Sequence, residues 1–234
     1  MTVGALELGL LHGFELRAEG RALELPLSAQ RLVAFLALQD RPLQRLYVAG
    51  NLWLDSSEER ANASLRTTLW RLGRNDCPIV EVTGNQVALA PEVSVDLHTV
   101  RARARRVLQH EHVEPVDLDT LCLAGELLPD WYEDWVLIER ERFRQLRLHA
   151  LDALCEELTA DGRYSAAVEA GHASVAAEPL RESAHRLLVA AYLAEGNAGE
   201  ALRQYRIFRD VLAAELGIEP SQQMEALVAH LPTR

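Results

Sequence analysis

Residues 58–89 read EERANASLRTTLWRLGRNDCPIVEVTGNQVAL. In the first half, Ala61, Leu65, Leu69 and Leu72 recur at the spacing of one helix face. The second half holds two short runs rich in β-branched residues, Ile79 to Val82 and Val87 to Leu89, around Thr83-Gly84-Asn85-Gln86. A Gly-Asn pair between such runs predicts a β-hairpin. Upstream, Asp55-Ser56-Ser57-Glu58 marks the turn that opens this helix. A second helix is predicted from about Gln44 to Leu54, and Arg41-Pro42 separates it from a first helix capped by Ser28. Before that, residues 4–27 alternate apolar and polar around His12-Gly13 and Glu19-Gly20, as short antiparallel strands do. The order is strands, three helices, hairpin. That is the order of a winged helix-turn-helix, with the third helix in the recognition position and the hairpin as wing.

Downstream, Asp96 opens a helix that runs from Leu97 to Leu108. The polar stretch 109–119, QHEHVEPVDLD, predicts a loop. From Leu121 onward the chain is helix-compatible, with breaks at Leu128-Pro129-Asp130, Asp161-Gly162, Glu178-Pro179, Glu195-Gly196-Asn197 and Gly217-Ile218-Glu219-Pro220. DGRYSAAV at 161–168 resembles EGNAGEAL at 195–202, so Gly162 and Gly196, like Ala167 and Ala201, stand ~34 residues apart, the TPR period. The expected fold is mainly α with a small β portion. It comprises a winged helix-turn-helix over 1–95 and a TPR-like α-helical domain over 96–234.

Composition limits the chemistry. Cys77, Cys122 and Cys155 are odd in number and lack CxxC spacing, which argues against a disulfide framework or a zinc site. His110-Glu111-His112 lacks a third ligand nearby, so no metal is expected. No Ser/His/Asp, Cys/His or paired-carboxylate pattern and no phosphate-binding glycine loop stands out, so neither catalysis nor a cofactor is expected. No apolar run approaches the ~18 residues of a membrane span, and the N-terminus lacks a basic leader. The protein is therefore expected in the cytoplasm and not at a membrane.

The net charge is −11, and all the cations apart from histidine are arginine. Residues 1–98 carry −3 and residues 99–234 carry −8. Acidic balance argues against indiscriminate nucleic-acid binding. A specific interface remains open on the third helix. Opposite its apolar face lie Arg60, Ala63, Thr67, Trp70, Arg71 and Arg74, with Arg66 at the flank. Arginine can fork onto guanine O6/N7, and threonine and tryptophan can meet thymine methyls. Arg60 can hold a phosphate, and Arg71 is the expected selectivity determinant. At the wing tip, Thr83 and Asn85 can reach phosphate or a minor-groove edge. The same groups also fit a solvated face paired with Glu58, Glu59 or Asp76. Two further clusters are ambiguous. The run Arg101, Arg103, Arg105, Arg106 can meet DNA or polymerase, or pair with Glu111 and Glu114. Asp130, Glu133 and Asp134 with Trp131, Tyr132 and Trp135 form either a core anchor or a contact surface.

Several segments together resemble the SARP family of actinobacterial transcriptional activators, an OmpR-like winged helix joined to a bacterial transcriptional activator domain. They are Leu52-Trp53, ERANASLRTTLWRL, Val95-Asp96-Leu97, Gly125-Glu126-Leu127-Leu128 with Trp131 and Trp135, and Glu139-Arg140-Glu141-Arg142-Phe143. Glu178-Pro179-Leu180-Arg181-Glu182 and the closing AEGNAGEALRQYRIFRDVLAAELGIEPS are the most specific. Gly73 stands where the family commonly has arginine, and Gln86-Val87 where it usually has Gly-Tyr. The resemblance implies an activator that binds double-stranded DNA at promoter direct repeats as a homodimer and recruits RNA polymerase through its sigma factor, without catalysis. The residues alone leave an alternative open: a TPR-like protein-interaction or ligand-sensing regulator with weak or lost DNA binding.

Overall fold

The computed structural model describes residues 6–74, 78–110 and 113–231. The chain opens with β1 (Leu6–Gly9), β2 (Glu15–Ala18) and β3 (Arg21–Ala22), followed by α1 (Leu27–Gln39), β4 (Leu43–Gln44), α2 (Arg45–Leu52) and α3 (Glu58–Leu72). The hairpin is β5 (Val80–Thr83) and β6 (Gln86–Leu89); β7 (Val93–Val95) then leads into α4 (Asp96–Leu108). The remainder is helical: α5 (Pro115–Leu123), α6 (Asp134–Ala160), α7 (Tyr164–Ala177), α8 (Glu182–Glu195), α9 (Ala198–Leu216) and α10 (Gln222–Val228). This is the expected mainly α fold with a small β portion, a winged helix-turn-helix followed by a helical domain.

The residues form two compact units, Met1–Thr99 with Gly125–Glu141, and Val100–Ala124 with Arg142–Arg234. The segment Gly125–Glu141 thus packs with the first unit although it follows α4 and α5 in the chain.

In the first unit, one sheet has the order β3-β2-β1-β7 and the wing sheet the order β4-β6-β5. β1 runs antiparallel to β2 and parallel to β7. Leu6, Leu8 and Leu16 are buried, while Glu7, Glu15 and Arg17 face outward or lie part-exposed, the period-2 pattern of a half-buried sheet. α1 is buried along most of its length, from Leu32 to Leu38. Pro26, not Ser28, is its N-cap: the Pro26 carbonyl accepts from Ala29 and Gln30 at 2.8 and 3.0 Å, with φ −58 and ψ 149. Proline fixes that φ and has no N–H to leave unpaired.

Asp96 joins the end of β1 to the start of α4. Its carboxylate accepts from the backbone N–H of Leu10 at 2.9 Å, Leu11 at 3.0 Å and Leu97 at 2.6 Å. The returning segment is held by Leu128 N–H to Leu10 C=O and His12 N–H to Glu126 C=O, each 2.9 Å. A Cβ on Gly125 would lie 2.3 Å from the His12 ring, so only glycine fits there. Arg140 donates to the carbonyls of Leu127 and Trp131 at 2.8 Å and also to that of Leu128. Trp131 stacks on Phe14, and Trp135 meets Phe35 edge-on at 5.2 Å. The two tryptophans are therefore core anchors. The sharing of this segment between Gly125, Arg140 and the aromatic pair explains those motif residues.

In the second unit, α5 begins at Pro115, inside the stretch expected to be a loop. Proline at the first helical turn sacrifices no hydrogen bond. Glu114 and Asp117 complete a capping box. Asp117 is buried, and Arg103 Nη1 approaches it at 3.1 Å and Glu114 at 3.0 Å. Arg106 pairs with Glu114 at 3.6 Å. These two arginines of the 101–106 run thus serve the fold.

The internal repeat is a repeated helix ending. Gly162 and Gly196 have φ +72 and +86. In each case the following residue reaches back five positions, Arg163 N–H to Leu158 C=O at 2.9 Å and Asn197 N–H to Tyr192 C=O at 2.8 Å. This is the Schellman ending that glycine permits. Ala167 and Ala201 are then fully buried at equivalent helix starts. α7 and α8 cross at Gly171, where a Cβ would lie 3.0 Å from Leu188 Cδ1.

The Glu178–Glu182 motif binds several elements at once. Glu178 pairs with Arg144, Arg181 with Asp152 at 2.9 Å, and Glu182 accepts from Ser221 N–H at 2.9 Å. The Pro179 carbonyl accepts from His185 Nε2 at 2.9 Å, while Gln204 Nε2 donates to His185 Nδ1 at 2.9 Å. This is the pairing of a neutral imidazole, and its ring stacks on Phe208 at 4.3 Å. Burial pushes the His185 pKa below its ordinary 6.5. A depressed folded-state pKa means that His185 stabilises the fold fully above pH 6.5 and progressively less as pH falls through the depressed value. The stability advantage of wild type over His185→Gln is thus expected to shrink in denaturation series from pH 8 to 5. A pH-independent difference would contradict the neutral-imidazole network.

Candidate nucleic-acid interface

The helix that sequence places in the recognition position is α3, preceded by α2 and a short turn. Ala61, Leu65, Thr68 and Leu72 are its buried residues. Thr68 replaces the expected Leu69 on the core line, and Leu69 is only part-buried. A 4-3-4 spacing runs through position 68, and the Thr68 hydroxyl can be buried because it donates to Ser64 C=O at 2.9 Å.

Arg60, Arg66, Thr67, Trp70, Arg71 and Arg74 are all exposed, so the predicted reading residues share the solvent side of one helix. Trp70 is 62% exposed. Among the described residues, none makes a hydrogen bond or ion pair with the side chain of Arg60, Arg66 or Arg71; Glu58 and Glu59 leave them unpaired, and Asp76 lies outside the described residues. The Arg74 guanidinium carbon sits 4.9 Å from the Trp70 ring centroid, a cation–π distance. Gly73 caps the helix at φ −71 and ψ −3, and Arg74 closes a final turn, its N–H donating to Arg71 C=O at 3.3 Å. The Thr67 hydroxyl donates to Ala63 C=O at 3.0 Å and has no second proton to offer.

The charge along α3 is polarised. Glu58 and Glu59 occupy its first turn, Arg66 and Arg71 its second half, and Arg74 follows just past its C-terminal end. Acid at a helix N-terminus stabilises the helix but repels phosphate, so an anionic ligand is favoured over the C-terminal half.

The wing keeps the expected hairpin, with Thr83 opposite Gln86 and Gly84 at φ +60. Thr83 and Asn85 are exposed at its tip. Asn85 is also structural: its Nδ2 donates to Gln44 Oε1 at 3.2 Å, and its carbonyl accepts from Arg45 N–H at 2.9 Å. Gln44 is thus a tip residue that sequence reasoning missed. Nothing in a two-residue strand far upstream signals it.

Glu111 and His112 of the His110-Glu111-His112 triplet lie outside the described residues, as does Cys77. Among the described residues no group of three His, Cys, Asp or Glu side chains is placed to hold a metal. Burial pushes the Cys155 thiol up to about 12 and the Cys122 thiol up to about 11, which leaves both as weak nucleophiles at neutral pH. Among the described residues no helix is long and apolar enough to cross a membrane.

A family model for the bacterial transcriptional activator domain matches residues 96–231. The regulatory protein AfsR of Streptomyces coelicolor is 28% identical over 236 aligned positions, covering 96% of this chain and 24% of that protein. AfsR of Streptomyces griseus is 27% identical, covering 92% of this chain and 23% of that protein. The chain therefore spans about a quarter of the length of these curated relatives. Mycobacterium tuberculosis EmbR, solved in complex with a low-affinity phosphopeptide, superposes with a TM-score of 0.73. That likeness covers 99% of this chain and 67% of EmbR at 22% identity, and it shows the shared fold.

Proposed function

Because the chain belongs to the SARP family of bacterial transcriptional activators, we propose that it regulates transcription by binding double-stranded DNA through α3. The observation that carries this reading is the outer face of α3, where arginines with no ion pair among the described residues flank an exposed tryptophan opposite a buried line. The exposed indole and the cations beside it offer a ligand apolar and charged contacts on one face. Arginine on a helix of this width suits the major groove and its phosphate walls. Thr83 and Asn85 at the wing tip add a second point of contact, with Asn85 braced by Gln44.

The family likeness supports the remaining roles. As an activator, the protein pairs as a homodimer on direct-repeat promoter sites and recruits RNA polymerase through its sigma factor. The TPR-like helices supply the protein-contacting part. No catalytic step and no cofactor is needed for this role, and its place is the cytoplasm.

A salt series tests the DNA-binding step. Affinity for a mixed-sequence duplex should fall linearly on a log–log plot against salt as phosphate counterions are released. Arg66→Ala should make the slope shallower by about one, the signature of one lost phosphate contact. No duplex binding at low salt would overturn the reading and favour a protein-interaction module with the same fold.

A further inference from the structure

The outer face of α3 has an internal order. Its buried line is Ala61, Leu65, Thr68 and Leu72. Moving each position two residues along gives Ala63, Thr67, Trp70 and Arg74, which share the same 4-3-4 spacing. Two residues turn a helix by about 200°, so this second line runs down the middle of the exposed side. It is apolar or donor-poor for most of its length. Ala63 is a methyl group. Thr67 has already given its only hydroxyl proton to Ala63 C=O. Trp70 is a 62% exposed indole. Arg74 closes the line and lies against that indole at 4.9 Å. Arg66 stands on one side of the strip, and Arg60 and Arg71 on the other.

An apolar strip with cations along both margins matches a major groove in cross-section. The phosphates form the two walls, and the thymine C5-methyl is the apolar group on the floor. We propose that the central strip of α3, and Trp70 above all, reads thymine methyl groups, while Arg66 and Arg71 hold opposite phosphate walls. Arg74 fixes the indole and covers part of it. The selectivity that sequence alone assigned to Arg71 passes to Trp70, and Arg71 becomes a positioning residue. The preferred ligand is a duplex with thymine at the centre of the contacted segment. This inference rests on the DNA-binding reading above.

The test uses duplexes that the full chain enriches from a random-sequence library, resynthesised with deoxyuridine at single thymine positions. That change removes one methyl and keeps base pairing. Wild type should lose about fourfold in affinity at a contacted position, the worth of one buried methyl. Trp70→Ala should bind the thymine and uridine forms equally. Its thermal melt should match wild type, since the side chain is exposed. Trp70→Phe should keep part of the discrimination. Arg71→Ala should weaken both forms by the same factor. Equal binding of the two forms by wild type, or full discrimination by Trp70→Ala, overturns the proposal while leaving DNA binding intact. Failure to enrich any sequence at low salt overturns both.

Discussion

Replacing Asp152 by alanine is expected to lower the stability of the helical unit by about 3 kcal/mol, within the range for breaking a buried ion pair. Asp152 and Arg181 are 14% and 20% exposed and meet at 2.9 Å. The same carboxylate accepts from Ser174 Oγ at 2.7 Å and Ser183 Oγ at 3.1 Å, which joins α6 to α7 and α8. Removing it leaves a charged guanidinium whose Nη1 already lacks a partner, and a buried serine hydroxyl without an acceptor. Losses of this kind exceed the value of the bonds themselves, because the orphaned groups stay desolvated. Asp152→Asn should cost less, since it keeps the acceptor. Pairing Asp152→Ala with Arg181→Met should recover part of the loss by removing the stranded charge. Urea denaturation followed by far-UV circular dichroism measures all three. A loss below about 1 kcal/mol, the value of an exposed surface pair, would show that water reaches this network.

Much of the fold was legible because its signals are periodic. The 3.6-residue recurrence gave α1, α2 and α3, and the Gly-Asn turn gave the wing. The repeated acid-Gly ending at Gly162 and Gly196 gave the helical hairpins. The misses have identifiable physical causes. β4 and β7 are too short to show alternation, and they exist only through partners at Val87 and in β1. The polar stretch 109–119 predicts a loop, whereas Pro115 within it starts α5, a position compatible with its missing N–H. The return of residues 125–141 to the first unit depends on contacts such as Gly125 against His12, which no local pattern encodes.

The candidate site shows the same division. The exposure of Arg60, Arg66, Thr67, Trp70, Arg71 and Arg74 follows from helical period alone. The position of Thr68 in the core and the bond from Asn85 to Gln44 do not. The first depends on a hydroxyl satisfied by its own helix, the second on tertiary proximity. The family-specific motifs proved to be fold determinants. Asp96, Gly125, Arg140, Arg181 and Glu182 all hold elements together, which explains how they can identify the chain.

The second large effect is expected on α3 itself. Arg66→Ala, Trp70→Ala and Arg71→Ala remove side chains that are exposed and, among the described residues, bear no ion pair. The fold should therefore keep its stability within about 0.5 kcal/mol for each. DNA affinity should not survive. Two phosphate contacts and one large apolar contact disappear together, and a combined loss of about 3 kcal/mol corresponds to more than a hundredfold in Kd. The loss should be greatest at low salt, where phosphate contacts weigh most.

The most direct measurement is the affinity of the triple variant and of wild type for the same enriched duplex, at low salt and with matched thermal melts. The α3 interface predicts binding by wild type and a loss of at least about a hundredfold in the variant. A triple variant that folds normally and binds as tightly as wild type would place the DNA contact elsewhere on the molecule.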